Sequence, residues 1–329
     1  MFNQKIILLG SNEVLKIIGQ EIRERPDCGY SLAAEFPECM EDANLINFSG
    51  IPVICNNNFE GLARLSQSFG IETIVVGFKE KRRNLPTQEL LRCRLDGIRI
   101  VDGNSFYENL TGRLAISALN PGWLIFSDGF QKSHSHLILK RWADLMLSLL
   151  LMIFCLPLIV VTAILIKIDS RGPVIFSQER MGERGKNFRV HKFRSMVQDA
   201  EKKSGPVWAQ SNDDRVTRVG RLLRKLRIDE LPQLWNVLKG DMSFVGPRPE
   251  REFFVKQLEE IIPYYSVRFT VKPGLTGWAQ VSYGYGATVD DAKEKLSYDL
   301  FYIKNMSPLM DLIIVLKTIK IVLFGKGAR

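Results

Sequence analysis

Cysteine and histidine are scarce in this sequence of 329 residues. The five cysteines (Cys28, Cys39, Cys55, Cys93 and Cys155) are odd in number, widely spaced and free of any CxxC pair, and the three histidines (His134, His136 and His191) are not grouped for metal binding. That pattern excludes a disulfide framework and a zinc centre, and it fits a reducing, cytosolic setting. No GxxxxGK(S/T) loop occurs, which excludes a nucleoside-triphosphatase loop, and the absence of GxGxxG leaves nucleotide binding with little support. The opening "MFNQKIILLGSN" lacks the basic, apolar and small-residue regions of a signal peptide and reads as a first strand and turn.

Hydrophobic residues make up 46% of the chain, enough for two domains that each bury a core. The net charge of +9 is unevenly spread: residues 1–139 hold 14 Lys/Arg against 16 Asp/Glu, and residues 140–329 hold 31 against 20. The second part therefore meets something anionic, such as nucleic acid, lipid headgroups or phosphorylated small molecules. Over residues 1–115 the short runs "KIILLG", "SLAAEF", "IPVI", "ETIVVGF" and "GIRIVD" alternate with helical patterns such as "NEVLKIIGQEIRER" and "FEGLARLSQSFG". Strands alternating with helices predict an α/β domain with a parallel sheet, Rossmann-like in class. Residues 116–139, punctuated by Pro, Gly and Ser, read as a linker.

Residues 145–166, "LMLSLLLMIFCLPLIVVTAILI", are 22 positions without a charge, where a spanning helix needs about 20. Pro157 near the middle kinks or breaks that helix. Lys140 and Arg141 before the run and Lys167 and Arg171 after it give no orientation bias, so both ends are expected on one side; of two competing readings, a straight span and a helix that dips in and returns, residues 140–170 read better as the re-entrant helix, ahead of a domain at 171–329. Residues 180–227 then carry 14 Lys/Arg against 5 Asp/Glu, and "RVTRVGRLLRKLR" has helical spacing with one cationic face. Beside an apolar segment, a cationic helix suits anionic headgroups or phosphorylated substrates. Aromatic interleaving is sparse (Phe188, Phe193, Trp208), which argues against a nucleic-acid surface. The C-terminal "SPLMDLIIVLKTIKIVLFGKG" reads as a helix lying at a bilayer surface, with a buried core helix as the alternative.

Within "LLRKLRIDELPQLW" stand Asp229 and Glu230, three and two residues ahead of Pro232. The spacing predicts Asp229 as an N-cap with Glu230 in the first helical turn, both held ionised by the helix dipole and by Arg224 and Arg227. Ionised carboxylates suit a hard cation such as Mg²⁺, and an ionised Asp is a competent nucleophile toward an activated phosphoryl group. In "GPRP" the flanking Pro247 and Pro249 give Arg248 a preset direction suited to phosphate, and "HKFRSM" adds Lys192 and Arg194 on an expected strand next to a glycine-turned hairpin.

From about Lys140 onward the chain resembles the bacterial sugar transferases, the monotopic phosphoglycosyl transferases that start lipid-linked glycan assembly. The motifs are "DSRGPVIFSQERMG", "HKFRSM", "RIDELPQLWNVLKGDMSFVGPRP", "KPGLTGWAQ" and "YDLFYIKN". The N-terminal part is similar to the Rossmann-like, CoA-binding-like domain of larger, exopolysaccharide-type members, which carry several transmembrane helices ahead of it, where this chain opens on the first strand. The resemblance implies a mostly α catalytic domain with a small β hairpin and interfacial amphipathic helices, on the cytoplasmic face of the bacterial inner membrane. It implies transfer of a sugar 1-phosphate from a UDP-sugar to polyprenyl (undecaprenyl) phosphate with release of UMP. It assigns Asp229 as a nucleophile forming a phosphoryl-Asp intermediate, and Glu230 as an aid to metal or proton handling. It also assigns Mg²⁺ to the acid pair, Arg224, Arg248, Lys192 and Arg194 to the substrate phosphates, and Pro157 to the break of the re-entrant helix, where Leu156 stands in place of the serine of some members. Members of this size class often form dimers, so the resemblance makes a homodimer an expectation. The reading from another class is a membrane-tethered scaffold that senses a nucleotide without catalysis.

Overall fold

The computed structural model describes residues 3–38, 52–54, 59, 61–78, 85–119, 121–198, 200, 213–284, 286 and 288–324. Two compact units divide the chain, Met1–Leu124 and Ile125–Arg329.

In the first unit β1 (Gln4–Gly10), α1 (Glu13–Glu24), β2 (Tyr30–Phe36), α2 (Leu62–Phe69), β3 (Thr73–Gly77), α3 (Thr87–Leu95), β4 (Arg99–Asp102) and α4 (Gly103–Thr111) follow one another. The strands pair in parallel in the order β2-β1-β3-β4. The apolar run of β1 is buried on both faces. Ile6 and Leu8 pack with Leu15, Ile18 and Phe106, while Ile7 and Leu9 pack with Leu62, Leu90 and Cys93. Asn12 starts α1 by accepting from the Leu15 amide at 3.1 Å. The expected strand "IPVI" is only a bridge from Val53 to Glu35, with Ile51 outside the described residues. Residues 116–139, expected as a linker, hold a 3-10 turn (Ile116–Ala118), α5 (Pro121–Phe126) and the first turns of α6.

The second unit opens with α6 (His134–Phe154) and α7 (Leu156–Asp169), bent by 61°. The break falls at Cys155, and Pro157 sits in the first turn of α7, where a missing N–H leaves no bond unmade. Among the described residues no single helix is long and apolar enough to cross a membrane, whereas this bent pair meets that length and composition together. Its polarity is inverted relative to a soluble hairpin. Asp144, Ser148 and Thr162 are buried, while Leu150, Ile153, Phe154, Val160, Val161, Ile164 and Ile168 face outward.

Lys140 and Arg141, expected as flanking charges, are instead pinned inside the unit. Lys140 Nζ donates to Asp311 Oδ2 at 2.7 Å, and Arg141 donates to the carbonyls of Val237 and Leu238 at 2.6 and 2.8 Å. Asp144 Oδ1 accepts from the Phe244 amide at 3.0 Å.

The chain continues through the antiparallel hairpin β5 (Ile175–Met181) and β6 (Asn187–Phe193), then α8 (Arg218–Lys225), a 3-10 turn (Ile228–Glu230), α9 (Gln233–Lys239), β7 (Ser243–Val245) and α10 (Glu252–Ile261). A second 3-10 turn (Tyr265–Thr270), β8 (Gly274–Thr276), α11 (Trp278–Ser282), α12 (Val289–Asn305) and α13 (Pro308–Phe324) complete it. β7 and β8 form a parallel pair that no periodicity announces. It depends on glycine: a Cβ at Gly274 would stand 2.1 Å from the Gly246 amide nitrogen, so "VGPRP" and "KPGLTG" meet backbone to backbone. Along α13, Leu309, Leu312, Leu316, Leu323 and Phe324 are exposed, and Lys317 Nζ lies 4.1 Å from the Trp278 ring centroid.

One group in the first unit opposes the fold at neutral pH. Glu35, paired with Leu8 in register, is fully buried with neither carboxyl oxygen hydrogen-bonded, and burial raises it to about 7 against the pull of Arg23. A carboxyl raised in the folded state contributes stability that is present below its unfolded value near 4.3 and lost as pH rises through about 7. Glu35→Gln is therefore expected to stabilise the first unit at pH 8 by up to about 3 kcal/mol and to add nothing of that kind at pH 4. Denaturant titrations at the two pH values measure the difference.

Candidate active site

The acid pair sits where two helices are kept from merging. α8 ends at Lys225 with Leu226 as its C-cap, and Arg227 adopts φ 58°, a left-handed backbone that a non-glycine residue holds at a cost of about 1–2 kcal/mol. The 3-10 turn of Ile228–Glu230 follows, and α9 starts only at Gln233, with Pro232 as its N-cap and no side-chain cap. Asp229 is thus not the cap that its spacing predicted. It lies in the turn before the helix, with its carboxylate free for other work.

The two acids differ in surroundings. Glu230 Oε1 accepts from Lys192 Nζ at 3.0 Å and from Arg248 Nη2 at 2.7 Å. Burial by itself would raise this carboxyl, but Arg248 and then Lys192 hold it well below the usual carboxylate range. In return Glu230 raises Arg248, while burial lowers Lys192 despite that partner. Asp229 is 8% exposed and makes no hydrogen bond or ion pair among the described residues. Burial, and then the neighbouring Glu230, push its carboxyl above the usual range, with Lys192, Arg224 and Arg248 pulling it back. The expectation that the cations hold Glu230 ionised is met, whereas at Asp229 desolvation opposes their field and shifts the carboxyl upward.

Of the expected phosphate-binding residues, the structure gathers Lys192, Arg248 and Arg224 at the pair. Arg224 Nε donates to Ser195 Oγ at 2.9 Å, and its charge acts on Asp229. Arg194 is not brought there. β6 ends at Phe193, so Arg194 leaves the alternation that aims Lys192, and its Nη2 donates to the Ser170 carbonyl and hydroxyl at 2.7 and 2.9 Å. It is buried as a strut at the exit of α7.

Arg248 belongs to a loop anchored chiefly through its carbonyls, as its prolines require. The Gly246 amide donates to Thr276 O at 2.9 Å, and the carbonyls of Pro247 and Glu250 accept from the amides of Gly274 and Met181 at 2.8 and 2.9 Å. Arg180 Nη1 reaches Pro249 O at 3.3 Å.

Sequence reasoning missed the residues that hold this frame. Asn236, fully buried on α9, accepts from the His191 amide at 3.0 Å and donates to Arg189 O at 2.7 Å, which fixes β6, and so Lys192, against the helix that follows the acids. An asparagine between the buried Leu234 and Val237 was the available signal. At the other end of α9, the two carbonyls taken by Arg141 tie it to α6.

A family model for bacterial sugar transferases matches residues 135–325, more than half of the chain. The chain belongs to the bacterial sugar transferase family. Over 240 residues it is 47% identical to a UDP-N-acetylgalactosamine-undecaprenyl-phosphate N-acetylgalactosaminephosphotransferase of Aeromonas hydrophila, covering 73% of this chain and 56% of that protein. It is 44% identical over 194 residues to an undecaprenyl-phosphate glucose phosphotransferase of Komagataeibacter xylinus (57% and 36%). Over 188 residues it is 42% identical to the exopolysaccharide production protein PSS of Rhizobium leguminosarum bv. phaseoli (56% and 94%). The chain thus spans about half or less of the first two relatives and nearly all of the third, and the matched region of the sugar transferase family contains every site residue described above.

Glu230→Gln removes the counter-charge shared by Lys192 and Arg248. Both partners are partly exposed, so the expected loss is about 1–3 kcal/mol. A carboxyl depressed in the folded state contributes stability that is present above its unfolded value near 4.3 and lost as pH falls through the folded one. The deficit of the variant is therefore expected to hold from pH 5 to 8 and to shrink only in stronger acid, as read by denaturant titration in detergent.

Proposed function

We propose that this protein transfers a sugar 1-phosphate from a UDP-sugar to polyprenyl phosphate, releasing UMP, at the cytoplasmic face of the inner membrane as a first step of lipid-linked glycan assembly. The observation that carries the reading is the unequal state of the acid pair: one carboxylate neutralised by two cations, its neighbour unbound. The activities named for the Aeromonas and Komagataeibacter relatives, both acting on undecaprenyl phosphate, support it.

In the first half-reaction a carboxylate oxygen of Asp229 attacks the phosphorus that bears the sugar, the bond to the bridging diphosphate oxygen breaks, and UMP leaves with that oxygen. In the second, a phosphate oxygen of the lipid attacks the same phosphorus and displaces Asp229, leaving a sugar joined to the lipid through a diphosphate. Asp229 attacks as the carboxylate. Burial, which raises its pKa, also strips it of the hydration and hydrogen bonds that would blunt it. Arg248 and Lys192, bridged by Glu230, present cations beside the diphosphate, and Arg224 adds a third.

The residues also suit Mg²⁺. Asp229 is free and Glu230 Oε2 is left over by the two cations on Oε1, while among the described residues no group of three or more metal-ligating side chains is gathered. One or two carboxylates completed by substrate phosphates are what Mg²⁺ takes, and the ion would offset the diphosphate charge.

The lipid substrate cannot leave the bilayer and the nucleotide sugar cannot enter it, so the reaction belongs at the interface. The inverted polarity of α6 and α7, their 61° bend and the exposed apolar side of α13 support a re-entrant hairpin with an interfacial helix. The order β2-β1-β3-β4 supports a Rossmann-like reading of the first unit.

Purified protein in lipid, given polyprenyl phosphate, Mg²⁺ and a panel of UDP-sugars, is expected to release UMP with at least one of them, and Asp229→Asn to abolish that release; turnover by the variant at the wild-type rate would refute the covalent scheme. For topology, single cysteines at positions 135 and 171 in a cysteine-free background are expected to react with an impermeant maleimide from the same side of oriented vesicles. Labelling from opposite sides rules out re-entry.

A further inference from the structure

The direction of Arg248 is set by more than its two prolines. Its own carbonyl accepts from Arg268 Nη2 at 2.9 Å, so the backbone of the residue whose side chain grips Glu230 is itself gripped by a second arginine. Arg268 is 7% exposed, and the same Nη2 lies 3.0 Å from Asp299 Oδ2 of α12, a residue 2% exposed. Its Nη1 donates to the hydroxyl of Tyr265, also 2% exposed, and its guanidinium lies 5.0 Å and 5.9 Å from the ring centroids of Tyr265 and Phe269. One planar cation thus joins the loop of Arg248, the 3-10 turn of Tyr265–Thr270 and α12. Stability alone does not explain a buried charged pair, since well-packed apolar residues serve at least as well. What the pair supplies here is a fixed acceptor geometry at a single carbonyl.

We propose that Arg268, oriented by Asp299 and Tyr265, is a positioning residue for the transfer reaction: it fixes the backbone of Arg248 so that the Arg248 guanidinium meets Glu230 and the substrate phosphate. The inference deepens the transferase reading and rests on it. Arg268 touches neither acid. Its effect passes through Arg248, so the two arginines form one unit.

The test is a double-mutant cycle on the full chain in lipid, with UMP release as the assay. Arg268→Lys keeps a charge for Asp299 but lacks the fork that also serves Tyr265 and the carbonyl. It is expected to lower kcat roughly 10- to 100-fold with KM for the UDP-sugar changed by less than about 3-fold. In an Arg248→Lys background the same change is expected to add less than about 3-fold, because the residue it positions is already altered. Multiplying losses in the double variant, or an unchanged kcat in the single one, overturns the proposal. If Arg268→Lys fails to fold, Tyr265→Phe, which removes one anchor and keeps the ion pair, goes through the same cycle and decides by the same criterion. A wild-type protein that releases no UMP from any UDP-sugar refutes the transferase reading, and with it this role; an active wild type with multiplying losses refutes the role alone.

Discussion

Glu230 Oε1 takes both Lys192 Nζ and Arg248 Nη2, and the rest of the second unit is arranged so that it can. The three residues come from β6, the turn before α9 and a proline-flanked loop, and each is held by a different device. Asn236 ties β6 to α9, the left-handed Arg227 separates the acids from α8, and the carbonyls around Arg248 are anchored one after another. Two cations on one carboxylate satisfy it, and its neighbour is left buried without a bond. A raised, unbonded Asp229 beside a depressed, doubly bonded Glu230 is a difference set by environment, since the side chains differ by one methylene.

The apolar segment is part of that arrangement. The charges at the start of α6 act within the protein: Arg141 holds the end of α9 and Asp144 holds the start of the path from β7 to Arg248. The helix pair that turns its apolar side outward is therefore also bonded to the helix next to the acids.

Much of this was legible from the sequence where a signal is local. The apolar runs of β1, β3 and β4 read directly as strands of a parallel sheet, and the acid pair, Lys192, Arg224 and Arg248 stood out by charge and by their prolines. The rest depended on contacts far apart in the chain. Lys192 and Glu230 are 38 residues apart, and Arg248 and Arg268 are 20 apart. The strands β7 and β8 have three residues each and exist because Gly246 and Gly274 let two loops touch. Spacing to Pro232 suggested a cap at Asp229, but the φ of Arg227, a tertiary outcome, delayed the helix by a turn. Arg194 misled for a related reason, because the strand that aims Lys192 stops one residue before it.

The central claim is that the unbonded carboxylate, rather than its neutralised neighbour, takes the phosphosugar. The most direct measurement is mass mapping of the protein after brief incubation with a UDP-sugar and Mg²⁺ in the absence of lipid acceptor. The account predicts a sugar-phosphate adduct on the peptide containing Asp229, localised to that side chain and discharged on adding polyprenyl phosphate. UMP release with no adduct, or an adduct on Glu230 or elsewhere, contradicts it.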